Sequence, residues 1–331
     1  MTIRVGIIGL GKMGQWHARQ ALQQPGFALH SVFDVTAARR RFARDNLGCA
    51  VHARLDSFLD DSQLDLVVVA TPSSAHVGPT IAALRAGKHC LVEKPMCTSA
   101  AQAERMIAAA RKARRSLVVF QNRRLDDYFL TTRKVVESGR LGKIYDLRFV
   151  AWNYSRLMQT FGVPEFRPQW RSKARYGGGV LFDFGAHYLD QLLLLCPQPI
   201  QDVYGDLRAR RWSRDADDHF LAIVRFADGA VAQVETSHSA LVAYGASWTI
   251  NGSDAGYQFA NGHGTIYWRS KTGQQRARTV KAIPTCWDRF YRQLRAHLRG
   301  AAPPPVRLEQ SLRLMKLLDA VRRSARTARL V

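Results

Sequence analysis

A glycine-rich turn near the start of the chain constrains the fold more than any other feature of the sequence. The residues from Ile3 to Ile8 are rich in isoleucine and valine, which is typical of a short buried parallel strand. They run directly into Gly9-Leu10-Gly11-Lys12-Met13-Gly14, and a helical pattern follows from about Gln15 to Gln24. This is the G-x-G-x-x-G motif in the strand–turn–helix context that indicates dinucleotide binding.

Each glycine of this motif has a physical role. Gly9 allows the tight turn, Gly11 lets the backbone approach a pyrophosphate, and Gly14 permits close packing of helix on strand. The helix N-terminus adds N–H groups and the positive end of a dipole. We therefore predict that a dinucleotide binds at Gly9, Gly11, Lys12, Met13 and Gly14.

Asp34 bears on the choice of cofactor. It ends a second strand pattern, Phe27 to Phe33, twenty residues after Gly14, where an acidic residue typically accepts hydrogen bonds from the adenosine ribose. The alternative is a charge near a helix N-terminus. A carboxylate here repels a 2′-phosphate, so NAD is the predicted cofactor. Arginines at 39–41 are close enough to reach a phosphate, so NADP is not excluded.

Strand and helix patterns go on alternating up to residue 120. Apolar runs at Leu64–Ala70, His89–Val92 and Leu117–Phe120 indicate strands, with helical patterns between them. This alternation predicts a doubly wound parallel sheet with right-handed crossovers. Ligands collect at the carboxyl ends of such strands. The polar residues at these ends, which we assign to the cofactor site, are Thr71, Glu93, Lys94 and Gln121.

A second glycine-rich segment, Gly177-Gly178-Gly179, precedes a carboxylate and an imidazole four residues apart. On an α-helix this spacing puts Asp183 and His187 on one face, which Asp190 continues. An imidazole held by a carboxylate can exchange a proton near neutral pH. Taken alone, such a pair is more often structural than catalytic.

Together these segments resemble the glucose-fructose oxidoreductase / inositol dehydrogenase / rhizopine-catabolism (Gfo/Idh/MocA) family of NAD(P)-dependent oxidoreductases. The resemblance covers essentially the whole chain, and Ser73 departs from it where many relatives have asparagine. The matching segments are Gly9–Gly14, Ala70–His76, Glu93-Lys94-Pro95, Asn122-Arg123-Arg124, Gly177–Gly179 and Asp183–His187.

The resemblance implies a fold and a domain organisation. A Rossmann domain at 1–121 would bind the cofactor, with Pro72 and His76 added to its site. An α/β domain at 122–331, with an open, mostly antiparallel sheet, would bind the substrate and mediate oligomerisation. The helix predicted at about 308–326 is a candidate to pack back on the first domain. Relatives suggest a homodimer or homotetramer.

The family's catalytic set maps onto Lys94, Asp183 and His187. Oxidising a secondary alcohol by hydride transfer needs a base for the hydroxyl proton and a positive charge for the developing alkoxide. His187 suits the first role and Lys94 the second, with Asp183 orienting substrate or imidazole. Within the family either Lys94 or His187 is the immediate proton carrier, so their division of labour stays open.

Strand patterns without intervening helices dominate the second half of the chain. Phe220–Phe226, Val231–Thr236, Ser247–Asn251 and Gly264–Tyr267 are the clearest, and they predict an antiparallel sheet. An apolar exposed face of that sheet would be a dimerisation surface.

The net charge of +23 and the pI near 10.6 have two interpretations. The basic residues are scattered over several helices, which favours solvated faces and gives no reason to expect a nucleic-acid partner. The other interpretation is attraction of an anionic substrate, such as a sugar acid or a nucleotide sugar. The candidate substrate-binding residues, by charge or by ring stacking, are Arg124, Arg148, Arg171, Trp152, Tyr154 and Trp170.

The remaining composition predicts an ordinary cytoplasmic enzyme. The five cysteines are odd in number and lack metal-type spacing, so we expect reduced thiols and no metal site. The first strand pattern starts at once, so we expect no signal peptide, and no apolar run is long enough to span a membrane.

The leading hypothesis is thus an NAD(P)-dependent oxidoreductase that acts on a secondary alcohol or ketone of a sugar, cyclitol or sugar derivative. The alternative is a cofactor-binding sensor or transcriptional regulator on the same fold. The presence of Lys94, Asp183 and His187 together favours the enzyme, because a binding protein has no need of all three.

Overall fold

The structure is a computed structural model that describes residues 2–156, 160–161 and 170–331. The chain forms two compact units. The first comprises residues 1–121, 159–178 and 288–315, and the second comprises residues 122–158, 179–287 and 316–331. Two later segments of the chain therefore belong to the same unit as its beginning.

The first unit is built on a six-stranded, all-parallel sheet with the order β3-β2-β1-β4-β5-β6. This confirms the predicted doubly wound parallel sheet. Its strands are β1 (Ile3–Ile8), β2 (Phe27–Phe33), β3 (Ala50–His52), β4 (Leu66–Val69), β5 (His89–Val92) and β6 (Leu117–Val119). Its helices are α1 (Lys12–Gln23), α2 (Ala37–Leu47), α3 (Leu55–Leu59), α4 (Val77–Arg85), α5 (Ala100–Ala113) and α8 (Asp288–Leu298).

The apolar runs form strands here because helices cover both faces of the sheet. Every residue of β4 is fully buried, as are the inner residues of β1 and β5. No pattern predicts β3 or α3, since three and five residues are too short to show a period. The helical pattern after the Leu64–Ala70 run becomes α4 only at Val77, because a 3₁₀ turn at Ser73–Ala75 precedes it.

The second unit is built on an eight-stranded mixed sheet with the order β14-β13-β12-β11-β7-β10-β9-β8. Only the β7–β10 pair is parallel, so the predicted open, mostly antiparallel sheet is confirmed. The strands are β7 (Ile144–Tyr154), β8 (Ile200–Arg208), β9 (His219–Phe226), β10 (Val231–Ser237), β11 (Ser239–Gly252), β12 (Gly256–Ala260), β13 (His263–Arg269) and β14 (Gln275–Lys281).

The helices of the second unit pack on one side of this sheet, which we call the helix face. They are α6 (Asp127–Glu137) and α7 (Ala186–Leu195), and α7 is preceded by a π-helical turn, Leu181–Gly185. The Phe149 ring of β7 lies 4.1 Å from the Tyr188 ring of α7, so the odd-numbered residues of β7 face the helices. The even-numbered residues of β7 point to the opposite side, which we call the open face.

The last helix, α9 (Leu308–Thr327), contributes residues up to Met315 to the first unit and residues from Lys316 to the second. Among the helices of the described residues, none combines the length and apolar character that crossing a membrane requires. The five cysteines all lie in the described residues and form no disulfide bond.

Candidate active site

The first glycine turn leaves its helix N-terminus open. A Cβ on Gly14 would overlap the carbonyl oxygen of Gly9, so helix and strand pack closely only because this residue is glycine. A Cβ on Gly11 would meet no atom of the described residues within 4 Å. Gly11 is also the N-cap of α1, and no side chain in the described part of the chain caps the helix there. The backbone amides at this turn are therefore accessible to an anionic group such as a pyrophosphate.

Asp34 lies at the end of β2 and is only 3% exposed. One carboxylate oxygen accepts the N–H of Leu10 in the glycine turn at 2.8 Å, and the other accepts the N–H of Thr36 at 2.8 Å. Arg39 donates to the same carboxylate at 3.4 Å, and Arg40 donates to the Asp34 carbonyl at 2.7 Å. A carboxylate has about four acceptor positions, so Asp34 can hold the turn and still accept one hydroxyl. Both arginines also bring positive charge to this position.

The ends of β4 and β6 carry buried polar atoms that the fold does not use. Thr71 Oγ1 and Gln121 Oε1 have no hydrogen-bond partner within the part of the chain that the structure describes. Buried polar atoms of native proteins are nearly always hydrogen-bonded. These two orphaned oxygens, on the side of the sheet where ligands bind, fit the polar groups of a dinucleotide.

His76 has a different role. Its ring nitrogens lie 3.0 Å from the Pro95 carbonyl oxygen and 2.9 Å from the Thr71 carbonyl oxygen. Burial lowers the pKa of His76. The imidazole therefore joins the loop after β4, which includes Pro72, to the loop after β5.

Glu93 and Lys94 follow β5 directly. Glu93 Oε2 accepts the backbone N–H of Lys94 at 3.1 Å, and Glu93 Oε1 lies 3.0 Å from His17 Nε2. Burial acts to raise the pKa of Glu93, but the His17 hydrogen bond and the charges of His17 and Lys94 lower it overall. The buried carboxylate is thus ionised and fixes the backbone of Lys94.

Lys12, Trp170 and Arg171 also belong to the first unit. The Lys12 ammonium lies 4.3 Å from the centre of the Phe161 ring, and the Arg171 guanidinium lies 4.5 Å from it. Arg171 also stacks on Trp170 at 4.3 Å and donates to the Phe161 carbonyl at 3.1 Å. Two cations therefore share one aromatic ring beside the first glycine turn.

The second glycine segment leads into a capped helix. The Asp217 carboxylate accepts the N–H of Leu181 at 2.7 Å, and its backbone carbonyl accepts the N–H of Val180 at 2.8 Å. Gly179 has a φ of +107°, and a Cβ there would overlap the Asp217 carboxylate. Burial raises the pKa of Asp217 to about 6. Glycine at 179 is needed so that this acid can approach the start of the helical segment.

Asp183 and His187 lie on either side of a change in helix type. Asp183 is within the π-helical turn, whereas His187 is the second residue of α7 and only 5% exposed. The expectation of one regular α-helix over both residues was wrong, because the turn from Leu181 to Gly185 is wound more loosely. Asp190 is buried at 2% exposure and pairs with Arg124.

Three further polar residues, which the sequence analysis did not identify, lie at the end of the second sheet that is close to Asp183. They are Asn153, Thr236 and His238. Thr236 shares the helix face with Phe220, its partner on β9, and the Phe220 ring lies against Gly185. The His238 ring packs edge-to-face on Phe184 with ring centres 4.7 Å apart. Burial lowers the pKa of His238, whereas the charge of Asp183 acts to raise it. The buried atoms Thr236 Oγ1, His238 Nδ1 and Asn153 Oδ1 have no hydrogen-bond partner among the described residues.

Asn153 is an odd-numbered residue of β7, which places it on the helix face. Thr236 ends the predicted strand Val231–Thr236, which is a weak signal. Nothing in the local sequence marks His238.

The predicted substrate-binding residues do not all come together. Arg124 donates two hydrogen bonds of 2.7 Å to Asp190, so its charge is matched inside the fold. Arg148, Trp152 and Tyr154 are even-numbered residues of β7 and lie on the open face, away from Asp183 and His187. Trp152 contacts the Tyr244 ring at 6.1 Å.

No group of three or more histidine, cysteine or acidic side chains in the described part of the chain could hold a metal ion.

Comparison with known proteins agrees with this arrangement. Residues 3–121 match the family model described as "Oxidoreductase family, NAD-binding Rossmann fold", and residues 129–258 match the model "GFO/IDH/MocA C-terminal domain". The chain is 26% identical over 353 residues to scyllo-inositol 2-dehydrogenase (NADP(+)) of Bacillus subtilis (strain 168), covering 100% of this chain and 96% of that protein.

Two further comparisons extend this result. The chain is 31% identical over 252 residues to the uncharacterized oxidoreductase YhhX of Escherichia coli (strain K12), covering 74% of this chain and 68% of that protein. The crystal structure of an NAD-binding protein from Listeria innocua is similar with a TM-score of 0.87 and 26% identity, covering 100% of this chain and 97% of the other. The chain therefore belongs to the GFO/IDH/MocA family and is an NAD(P)-dependent oxidoreductase.

Proposed function

We propose that the protein transfers a hydride between nicotinamide and a secondary alcohol or ketone of a sugar, a cyclitol or a related polyol. The observation that carries the proposal is that Asp183, whose charge acts on His238, lies in the helical turn just before His187. The strand ends of the same unit carry buried oxygens that have no hydrogen-bond partner among the residues that the structure describes. Polyols present several hydroxyls in fixed directions, and polar atoms of this kind bind such hydroxyls. The similarity to an inositol dehydrogenase supports the same substrate class.

The residues divide the chemistry as follows. A bound nicotinamide supplies or accepts the hydride. We propose that the His187 imidazole takes the hydroxyl proton and that the Lys94 ammonium stabilises the developing alkoxide. Asp183 orients the substrate or the imidazole, and in the reductive direction the same groups return the proton. Thr71, Gln121 and Asp34 would hold the cofactor, since they end the strands of the Rossmann sheet.

The positive charge of the protein supports the proposal that its substrates include anionic sugar derivatives. The net charge of +23 attracts anions to the whole protein. Arg123 is near Asp183 in the second unit, since its guanidinium lies 5.7 Å from the Phe184 ring and its charge acts on Tyr188. Sugar acids and nucleotide sugars therefore belong in any substrate screen beside neutral sugars and cyclitols.

The test is a substrate screen that follows nicotinamide absorbance with NAD and NADP separately. Lys94→Met and His187→Asn should abolish turnover while still binding NADH, as measured by fluorescence titration. His219→Asn is the matched control, because His219 is as buried as His187 and its Nε2 lies 3.9 Å from Glu235 Oε1 of the neighbouring strand. Tight cofactor binding without turnover on any compound would contradict the enzymatic role of this set and favour a sensor.

We further propose that the protein is a homo-oligomer. The second sheet has an open face, and three apolar side chains of β11 are exposed, Leu241, Val242 and Tyr244. Light scattering after gel filtration should give a multiple of 37.2 kDa, and Leu241→Glu should reduce it. A wild-type mass of one chain would rule the oligomer out.

A further inference from the structure

A chain of three titratable side chains crosses the interior of the first unit. His17, on α1 just after the glycine turn, has no exposed surface. Its Nδ1 lies 2.7 Å from the phenol oxygen of Tyr291 on α8, and its Nε2 lies 3.0 Å from Glu93 Oε1. The Phe120 ring packs against the imidazole at 4.6 Å, and Phe27 packs against Tyr291 at 5.3 Å. Apolar rings therefore enclose a polar network that the proposed chemistry does not use.

The hydrogen-bond directions in this network follow from its chemistry. The ionised Glu93 carboxylate can only accept, so His17 Nε2 must carry a proton. Burial, and then the charge of Glu93, raise the pKa of Tyr291 well above its ordinary value, so the phenol keeps its proton. The phenol donates to Nδ1 of a neutral imidazole, or accepts from Nδ1 of a protonated one. In both cases Nε2 continues to donate to Glu93.

The network ends at Lys94. Glu93 accepts from His17 with one oxygen and from the Lys94 backbone N–H with the other. One buried carboxylate thereby connects α1, α8 and the residue that follows β5. Burying such a carboxylate is unfavourable unless it is hydrogen-bonded, so its orientation depends on His17, and the orientation of His17 depends on Tyr291.

We propose that His17 and Tyr291 are positioning residues for Lys94. This inference rests on the proposed function, in which Lys94 acts on the substrate. Tyr291 sets the ring orientation of His17, His17 holds Glu93 ionised and fixed, and Glu93 fixes the backbone of Lys94. The same network joins Lys94 to the helix that begins at the cofactor turn. Displacing a reacting group by about 1 Å can slow a reaction by about 100-fold.

The proposal has a pH signature. The charged and titratable groups that face Glu93 are His17 from α1, His76 from the loop after β4, Lys94, and Tyr291 from α8. The His17 hydrogen bond and charge lower the pKa of Glu93, so their loss raises that pKa. As the pH falls, Glu93 of such a variant is protonated earlier. The acid limb of its pH–rate profile therefore lies at higher pH than that of the wild type.

The experiment compares Tyr291→Phe, His17→Gln and His17→Leu with the wild type. Tyr257→Phe is the control, because Tyr257 is also a buried phenol, hydrogen-bonded to Thr132 in the second unit. We expect kcat to fall by about tenfold in Tyr291→Phe, and more in His17→Leu than in His17→Gln, whose amide can still donate to Glu93. NADH affinity should stay within about twofold, and the acid limb should shift only in variants at 17 and 291.

A second readout does not depend on turnover. Trace acetylation over a range of pH, followed by peptide mapping, reports the reactivity of Lys94 with Lys12 as internal reference. The Lys94 profile should change in the His17 and Tyr291 variants and remain unchanged in Tyr257→Phe. If the wild type turns over and all three variants keep its kcat, acid limb and Lys94 reactivity, the inference is wrong while the proposed function stands. Absence of wild-type turnover would count against the proposed function, and the acetylation profiles would then decide the inference.

Discussion

The two glycine-rich segments of this chain begin helices in different ways. Each is bound by an aspartate carboxylate, since Asp34 accepts the Leu10 N–H in the first and Asp217 accepts the Leu181 N–H in the second. Asp34 binds the turn beside the helix, and no side chain of the described residues caps the N-terminus of α1. Asp217 occupies the start of the second helical segment itself. A glycine-rich helix start is therefore an anion site only where the protein does not supply the anion.

Among the substitutions that test this comparison, Gly179→Ala should have the largest effect, a loss of stability. Its Cβ would overlap the Asp217 carboxylate, and its φ of +107° is unfavourable for alanine. We expect a loss of about 3 kcal/mol in the free energy of unfolding by urea. Gly245→Ala is the control, since a Cβ there meets no atom within 4 Å among the residues that the structure describes. Equal stability of the two variants would mean that the second segment does not need its glycine.

Gly11→Ala should affect binding and not folding. The added methyl group meets no atom of residues 2–156, 160–161 or 170–331 within 4 Å, but it lies where a pyrophosphate approaches the backbone. We expect NADH affinity to fall by roughly 30-fold, about 2 kcal/mol, with an unchanged melting temperature. Gly78→Ala, which is equally uncrowded at the start of α4, should retain full affinity. Undiminished binding by Gly11→Ala would place the cofactor phosphates elsewhere.

Asp217→Asn should remove a pH dependence of stability. The pKa of Asp217 is raised in the folded protein to about 6, so its ionised form is disfavoured there. Wild-type stability should fall as the pH rises from about 4 to about 6, by about 2 kcal/mol from this group, and then level off. Urea unfolding of Asp217→Asn over this pH range should lack this fall in stability. Asp202→Asn, which changes the carboxylate that pairs with Arg225 at the surface, should keep it. Parallel curves for all three proteins would refute the assignment.

Asp34→Asn should have the smallest effect and should change cofactor preference. The amide can still accept one backbone N–H, but it no longer repels a 2′-phosphate, and Arg39 and Arg40 remain beside it. We expect the ratio of NADP to NAD affinity to rise by about tenfold, or about 1.4 kcal/mol. Asp45→Asn, an exposed change on α2, should leave the ratio unaltered. A fall in both affinities without a change in ratio would indicate that Asp34 only supports the turn.

Local patterns in the sequence predicted the parallel sheet, the glycine turn, the mostly antiparallel second sheet and the positions of Asp34 and Lys94 at strand ends. Each of these signals is contained in a few neighbouring residues. Short elements such as β3, and the return of residues 288–315 to the first unit, leave no such local signal.

The sequence by itself determined which elements form and which residues stand at their ends, because apolar periodicity and glycine geometry act over one or two turns of chain. Only the tertiary structure decided how the polar groups are used. It winds Asp183 into a π-helical turn, places Arg148 on the face opposite His187, and joins His17 to Tyr291 across 274 residues. Burial and hydrogen bonding between distant segments set these arrangements, and neither has a local pattern.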